Sequence, residues 1–484
     1  MRVADAPDFG YGKKVMKRWY WAGLGVTAVA IASCSDEPLR CGPGTARKGN
    51  ECLGLGSAHS GGSTGNGAGG TSAGGDAGSA GDHSDGTGGD PDSNGGAPAD
   101  GESGGAPSDG ESSGGSAGEG GAGGSAGGGA EPIDVITSDL GCGSHNVTGA
   151  TVVTDPITQD TVWSGVIHLP KGLSMRNEPT LTIAPGTKII VGHDATVEFG
   201  WPGGGHATIV AAGTLEAPIL FCGETDTAGY WAGMVFRSGV KSASVFKNVL
   251  IADAGGTDAA LTLEMPLLVQ GVQVRNSGSN GVNTVGFAPQ SSTLIVSGAT
   301  NTAVKATKAR GAEVPVGSRL AGNGLDLIDL AFTSVDASVT LRNLSVPYSL
   351  SGMQIAGGAT VTLESGVRLL IAPGGSIDVL AAGALKATGT SESKIQLSPR
   401  DSSNWGGITA ELGATVQLVD VVIDHAGGGG VLTSAISAKT PIQLSDSTIS
   451  HSATWGLKKA ASDLTDYLTG NTFEGNVSGD VTDF

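Results

Sequence analysis

The residues best placed to do chemistry in this chain are a short acidic run, Asp326, Asp329 and Asp336, followed by Arg342. Paired carboxylates carry general acid and base work in glycoside hydrolysis, and an acidic cluster holding Ca²⁺ beside a basic residue suits lyase chemistry. Asp326, Asp329 and Arg342 are therefore the weak catalytic candidates, with Ca²⁺ as the cofactor if the chain is a polysaccharide lyase. Their spacing argues against them. Residues three apart on an extended strand point to opposite faces, so Asp326 and Asp329 read more simply as corner and solvent-face residues.

The histidines offer no metal site by spacing. His193 beside Asp194, His206, His425 after Asp424, and His451 are scattered, and no pair sits at a ligand interval. No metal or other cofactor is expected from them. The glycine run 427 to 430 lacks the Lys and helix of a phosphate loop. Trp231 and Trp405 read as packing residues at corners, with stacking on a sugar ring as the alternative.

Cysteine use points to the cell envelope. Cys34 closes the run Ile31-Ala32-Ser33-Cys34 behind the apolar stretch from Trp19 to Ala32, with Lys13, Lys14, Lys17 and Arg18 in front. That stretch is too short to span a bilayer of about 30 Å and has the length of a signal-peptide h-region. A start at Met16 would give a more ordinary n-region. The motif resembles the lipobox of bacterial lipoproteins, which implies cleavage after residue 33 and diacylation of Cys34. Ser35 following the Cys implies the outer membrane by the same resemblance. With Cys34 assigned to lipid, four of the five cysteines remain to pair in an oxidising compartment. Separation favours Cys41 with Cys52 and Cys142 with Cys222, although four cysteines allow three connectivities and Cys222 also suits a buried thiol.

The formal charge of −19 excludes a nucleic-acid partner, which needs a basic stripe to displace counterions. The organisation that follows is a signal segment over 1-33, a Cys-loop segment over 34-58, an acidic Gly/Ser-rich tether over 59-132 and a folded region over 133-484. The tether has no Lys, Arg or aromatic residue from His59 to Ala130. It cannot bury enough apolar surface to offset its ordering entropy, and flexible-coil scaling gives it an average reach of roughly 45 Å.

The folded region repeats internally. Trp231-Ala232-Gly233-Met234 matches Trp405-Gly406-Gly407-Ile408, and Ile251-Ala252-Asp253-Ala254-Gly255-Gly256 matches Ile423-Asp424-His425-Ala426-Gly427-Gly428. Leu181-Thr182-Ile183 matches Val361-Thr362-Leu363, and Ala211 to Ala217 matches Ala381 to Ala387. Two tandem modules, about 166-290 and 346-470, follow from matches kept in one order. At the aligned positions shape is shared and side-chain chemistry is not: Asp253 meets His425, and Ala252 meets Asp424. That pattern reads as a structural turn.

Within each module, alternating segments of four or five residues such as Thr180-Leu181-Thr182-Ile183 and Thr196-Val197-Glu198-Phe199 are separated by Gly, Pro, Asp or Asn. Period-two segments this short, stacked without amphipathic helices, predict an all-β parallel β-helix. The series 180 to 187, the step Gly213 to Ala217, Pro218-Ile219, the Trp231-Ala232-Gly233 corner and Asn248-Val249 resemble the pectin-lyase-like right-handed parallel β-helices. At about 23 residues per coil the region would make roughly 15 coils. The resemblance fixes fold and leaves function open, since such folds serve lyases, hydrolases, adhesins and scaffolds. The Asn-Thr-Asp, Asp-Asp and Gly-His-Gly motifs of the polygalacturonase type are absent.

The reading that emerges is a non-catalytic, lipid-anchored surface protein for adhesion, glycan or matrix contact, or envelope organisation. Its partners would be membrane lipid through Cys34, and glycans or cell-surface proteins. The alternative is an extracellular polysaccharide lyase or hydrolase.

Overall fold

The computed structural model describes residues 45–48, 51–54, 141–201, 206–428 and 433–484. The signal segment, Cys34, Cys41 and the tether lie outside the described residues, so the lipid anchor and the Cys41 to Cys52 pairing rest on sequence alone. Two compact units divide the chain at residue 118. In the first, Thr45–Lys48 and Glu51–Gly54 pair antiparallel, so the segment read as a loop holds a hairpin.

In the second unit the chain forms a parallel β-solenoid of the right-handed type with about 13 turns. Its strands are short because turn residues interrupt them, and they alternate as the sequence pattern requires. Thr180–Ile183 and Ser376–Val379 each bury every second residue. The buried positions of successive turns stack in register: Val197 on Met234, Leu261, Val282, Val304, Ile328 and Tyr348. Each fully buried aliphatic side chain in such a column contributes about 1.5–3 kcal/mol. The columns therefore hold the solenoid together in place of a globular core.

The turns are fewer than the expected 15 because they are unequal. Ile328 stacks on Tyr348 after 20 residues, whereas Val197 stacks on Met234 only after 37.

One sheet of 12 strands runs from Thr196–Phe199 to Thr472–Glu474. A second 12-stranded sheet wraps two sides of the N-terminal half, because the eight-residue strand Leu268–Arg275 crosses the edge and pairs with both Val245–Lys247 and Val249–Ala252. Sheets of seven and five strands complete the C-terminal half. Residues 257–340, most of which lie between the two modules, continue the same parallel ladders.

This middle stretch has a consequence for the two repeats. Val249–Ala252 lies in the wrapped sheet, but its sequence counterpart Val421–Asp424 lies in the long sheet. Likewise Gly233–Phe236 lies in the long sheet and its counterpart Gly407–Ala410 in the seven-stranded one. Equivalent strands thus occupy different sides of the solenoid in the two halves.

Beyond the last strand of the five-stranded sheet, the buried Tyr467 accepts a hydrogen bond from Ile442 N at 3.2 Å and donates its hydroxyl to Asp463 at 2.6 Å. It satisfies a backbone donor that would otherwise face an open edge.

Candidate functional site

The corners that follow the strands Val249–Ala252 and Val421–Asp424 gather titratable side chains, and they share one backbone design. Asp253 and Asn276 adopt left-handed backbone on successive turns, with φ of 63° and 54°, followed by Gly298 at 68°. In the second half His425 and His451, both at 51°, and Gly475 at 63° do the same. Asp, Asn and His tolerate this region better than most residues. Each corner passes its N–H to the turn above: Asp253 to Arg275 O at 3.2 Å and His425 to Ser450 O at 3.1 Å.

Trp231 and Trp405 brace these corners. Both are fully buried, and each indole N–H reaches a backbone carbonyl, Ala252 O at 2.8 Å and Asp424 O at 2.9 Å. Neither ring leaves a face open to solvent, so stacking on a sugar is corrected to packing. The glycine two residues after each Trp is required: a Cβ on Gly233 would lie 2.3 Å from Ala259 O, and one on Gly407 would lie 2.5 Å from Ala435 O.

In the first half the corner opens into a cavity of about 380 Å³, lined by Cys142, Asp226, Asp253, Arg275, Asn276 and Ser297 among others. Asp253 is 2 % exposed, and its Oδ1 accepts from Asn276 Nδ2 at 2.7 Å. Its Oδ2 is buried without a hydrogen-bond partner. Burial pushes the carboxyl above its ordinary range, and Asp226 adds to the effect against the pull of Asn276. The segment from Cys142 is pinned beside this corner. Cys142 and Cys222 form a disulfide, Lys188 donates to the carbonyls of Cys142 and Ser144, and His145 bonds Gly223 O at 2.8 Å and Asp226 at 2.9 Å. The segment thereby covers Ile190, Leu250 and Ala252 on the outside of the sheet. The expected Cys142 to Cys222 disulfide fastens this strap to the flank of the solenoid.

In the second half, turn stacking gathers residues 26 apart. Asp424 accepts from Ser450 Oγ at 2.8 Å, and its two oxygens lie 2.7 Å from His425 Nδ1 and 2.9 Å from His451 Nδ1. The imidazoles are stacked, with centroids 4.9 Å apart and planes inclined by 25°. Burial opposes ionisation of Asp424, but the hydrogen bonds from His451, His425 and Ser450 outweigh it and hold the carboxyl below its usual range. Counted along the chain, these histidines are scattered. The relevant interval in a solenoid is one turn, so His425 and His451 occupy equivalent corners.

The sequence-nominated acid and base residues do not converge. Asp326 accepts from the N–H of Gly322 at 3.0 Å and of Asn323 at 2.8 Å, closing a corner turn. Partial burial opposes its ionisation, but these backbone donors and the Asn323 amide outweigh it and keep the carboxyl low. Asp329 points outward from the long sheet between Lys305 and Ser349, and burial raises its pKa against the pull of Lys305 and Arg400. Arg342 donates to Val314 O at 3.3 Å on another part of the surface. A Ca²⁺ site needs several oxygen ligands. Among the described residues, the group that brings three ligating side chains together is Asp424, His425 and His451.

No family model matches the chain, and no curated protein or solved structure matches it.

Proposed function

We propose that this chain is a non-catalytic, lipid-anchored cell-surface protein that presents its solenoid on an acidic tether for adhesion, glycan or matrix contact, or envelope organisation. The observation that carries the reading is the continuous sheet of 12 parallel strands. Its outward column runs Glu198, Val235, Thr262, Asn283, Lys305, Asp329 and Ser349, one side chain per turn, with Asn283 and Ser349 buried. Glu198, Thr262, Lys305 and Asp329 are the part-exposed polar groups on this stiff ladder, whose turns repeat about every 4.8 Å, a geometry suited to contacting an extended polymer rather than enclosing one reacting bond. The separate engagements of Asp326, Asp329 and Arg342 favour contact over turnover.

On this reading Cys34 carries the acyl chains, and the pectin-lyase-like resemblance concerns architecture. The test has two arms. A glycan array and depolymerisation screen of the full chain, with and without Ca²⁺, should give binding without release of unsaturated or reducing ends. Turnover would overthrow the reading in favour of a polysaccharide lyase or hydrolase. In the native host, Cys34→Ser should move the protein from the membrane fraction to the soluble one. Unchanged fractionation would remove the anchor from the proposal.

A further inference from the structure

We propose that Asp424, His425 and His451 form a binding site for a borderline divalent cation of the Zn²⁺ class. One carboxylate and two imidazoles have their ligating atoms within 4.8 Å of one another. Two imidazole nitrogens with one carboxylate match Zn²⁺, Ni²⁺ or Cu²⁺, whereas Ca²⁺ and Mg²⁺ prefer oxygen throughout.

The spacing suits a small ion. A tetrahedral metal bonded to nitrogen and oxygen at about 2.0–2.2 Å places neighbouring ligand atoms roughly 3.4 Å apart, and the N···O separations here, 2.7 Å to Asp424 Oδ2 and 2.9 Å to Oδ1, come within a small side-chain shift of that. An entering ion replaces the hydrogens now shared between each Nδ1 and the carboxylate. Each neutral ring then carries its proton on Nε2, so no oxidant or further reactant is involved. Ser450, donating to Asp424 Oδ1 at 2.8 Å, is the outer partner that orients the carboxylate. The side chains of His425 and His451 are 43% and 53% exposed. Positions not filled by these three ligands therefore stay open to water or to a group from a partner.

The turn itself does not need the histidines. The first half builds the same left-handed corner, with the same hydrogen bond to the turn above, from Asp253 and Asn276. The stacked pair is therefore a chemical addition to a backbone that closes without it.

The site is tested on the full chain by calorimetric titration with Zn²⁺, comparing the native protein with His425→Asn plus His451→Asn. Asparagine tolerates the same positive φ, and thermal melts of both proteins check that the fold is kept. The expected result is one Zn²⁺ equivalent that the double variant loses or binds at least tenfold more weakly. Equal stoichiometry and affinity in the two proteins would overturn the site. Should the variant fail to fold, crystals of the native protein soaked in Zn²⁺ supply the decision. An anomalous peak between the three side chains supports the site, and a soaked crystal without one overturns it. The cation site stands independently of glycan binding, since neither test uses the other's readout.

Discussion

Trp231 donates its indole N–H to the carbonyl of Ala252 at 2.8 Å, and Trp405 makes the same bond to Asp424 O at 2.9 Å. Each ring fills the inside of a corner and satisfies a backbone acceptor there. Trp405→Ala should cost about 3–5 kcal/mol through the cavity it leaves. Trp405→Phe should cost less, leaving mainly the orphaned carbonyl at about 1–3 kcal/mol. Urea denaturation of the two variants checks the order, and equal losses would show that volume alone matters.

Asp253 should make stability depend on pH. Its folded pKa is raised, chiefly by burial, so its contribution is fully present below the unfolded carboxylate range and is lost as pH rises through the folded value. Once ionised, the buried carboxylate is a burden, so Asp253→Asn should gain nothing near pH 3 and gain stability over the native protein as pH rises from there towards 7. The left-handed backbone suits Asn, as Asn276 shows one turn on. Melting curves across that range decide it, and a gain independent of pH would contradict the role of burial.

The strap from Cys142 to Val147 should depend on its disulfide. The bond closes a separation of 80 residues, and replacing both cysteines with Ser should cost about 2–5 kcal/mol. Hydrogen exchange should quicken first at Ile190, Leu250 and Ala252, the residues that the strap covers. Uniform quickening along the solenoid would mean that the bond acts globally instead.

Asp326 is predicted to matter to the fold and not to turnover. Asp326→Ala removes the acceptor for two backbone N–H groups and should cost about 1 kcal/mol. Asp329→Asn should change stability little. Should either variant abolish a measured polysaccharide-cleaving activity, the structural reading of that stretch would fail.

The sequence by itself determined the inside of this protein. Period-two apolar segments between turn residues dictate short strands, and matched Trp-x-Gly corners dictate where the chain bends; both follow from local sterics and burial, which act over a few residues. The repeat also located Asp253 and His425 correctly as turn positions. What only the tertiary structure decided was which residues meet across turns. Turn lengths vary from 16 to 37 residues, so register cannot be counted along the chain, and the edge-crossing strand Leu268–Arg275 precedes a shift of equivalent strands to different sides. Asp424, His425 and His451 come together because stacking places one turn directly upon the next. That proximity arises from hydrogen bonding between turns and leaves no mark in the local spacing of the residues.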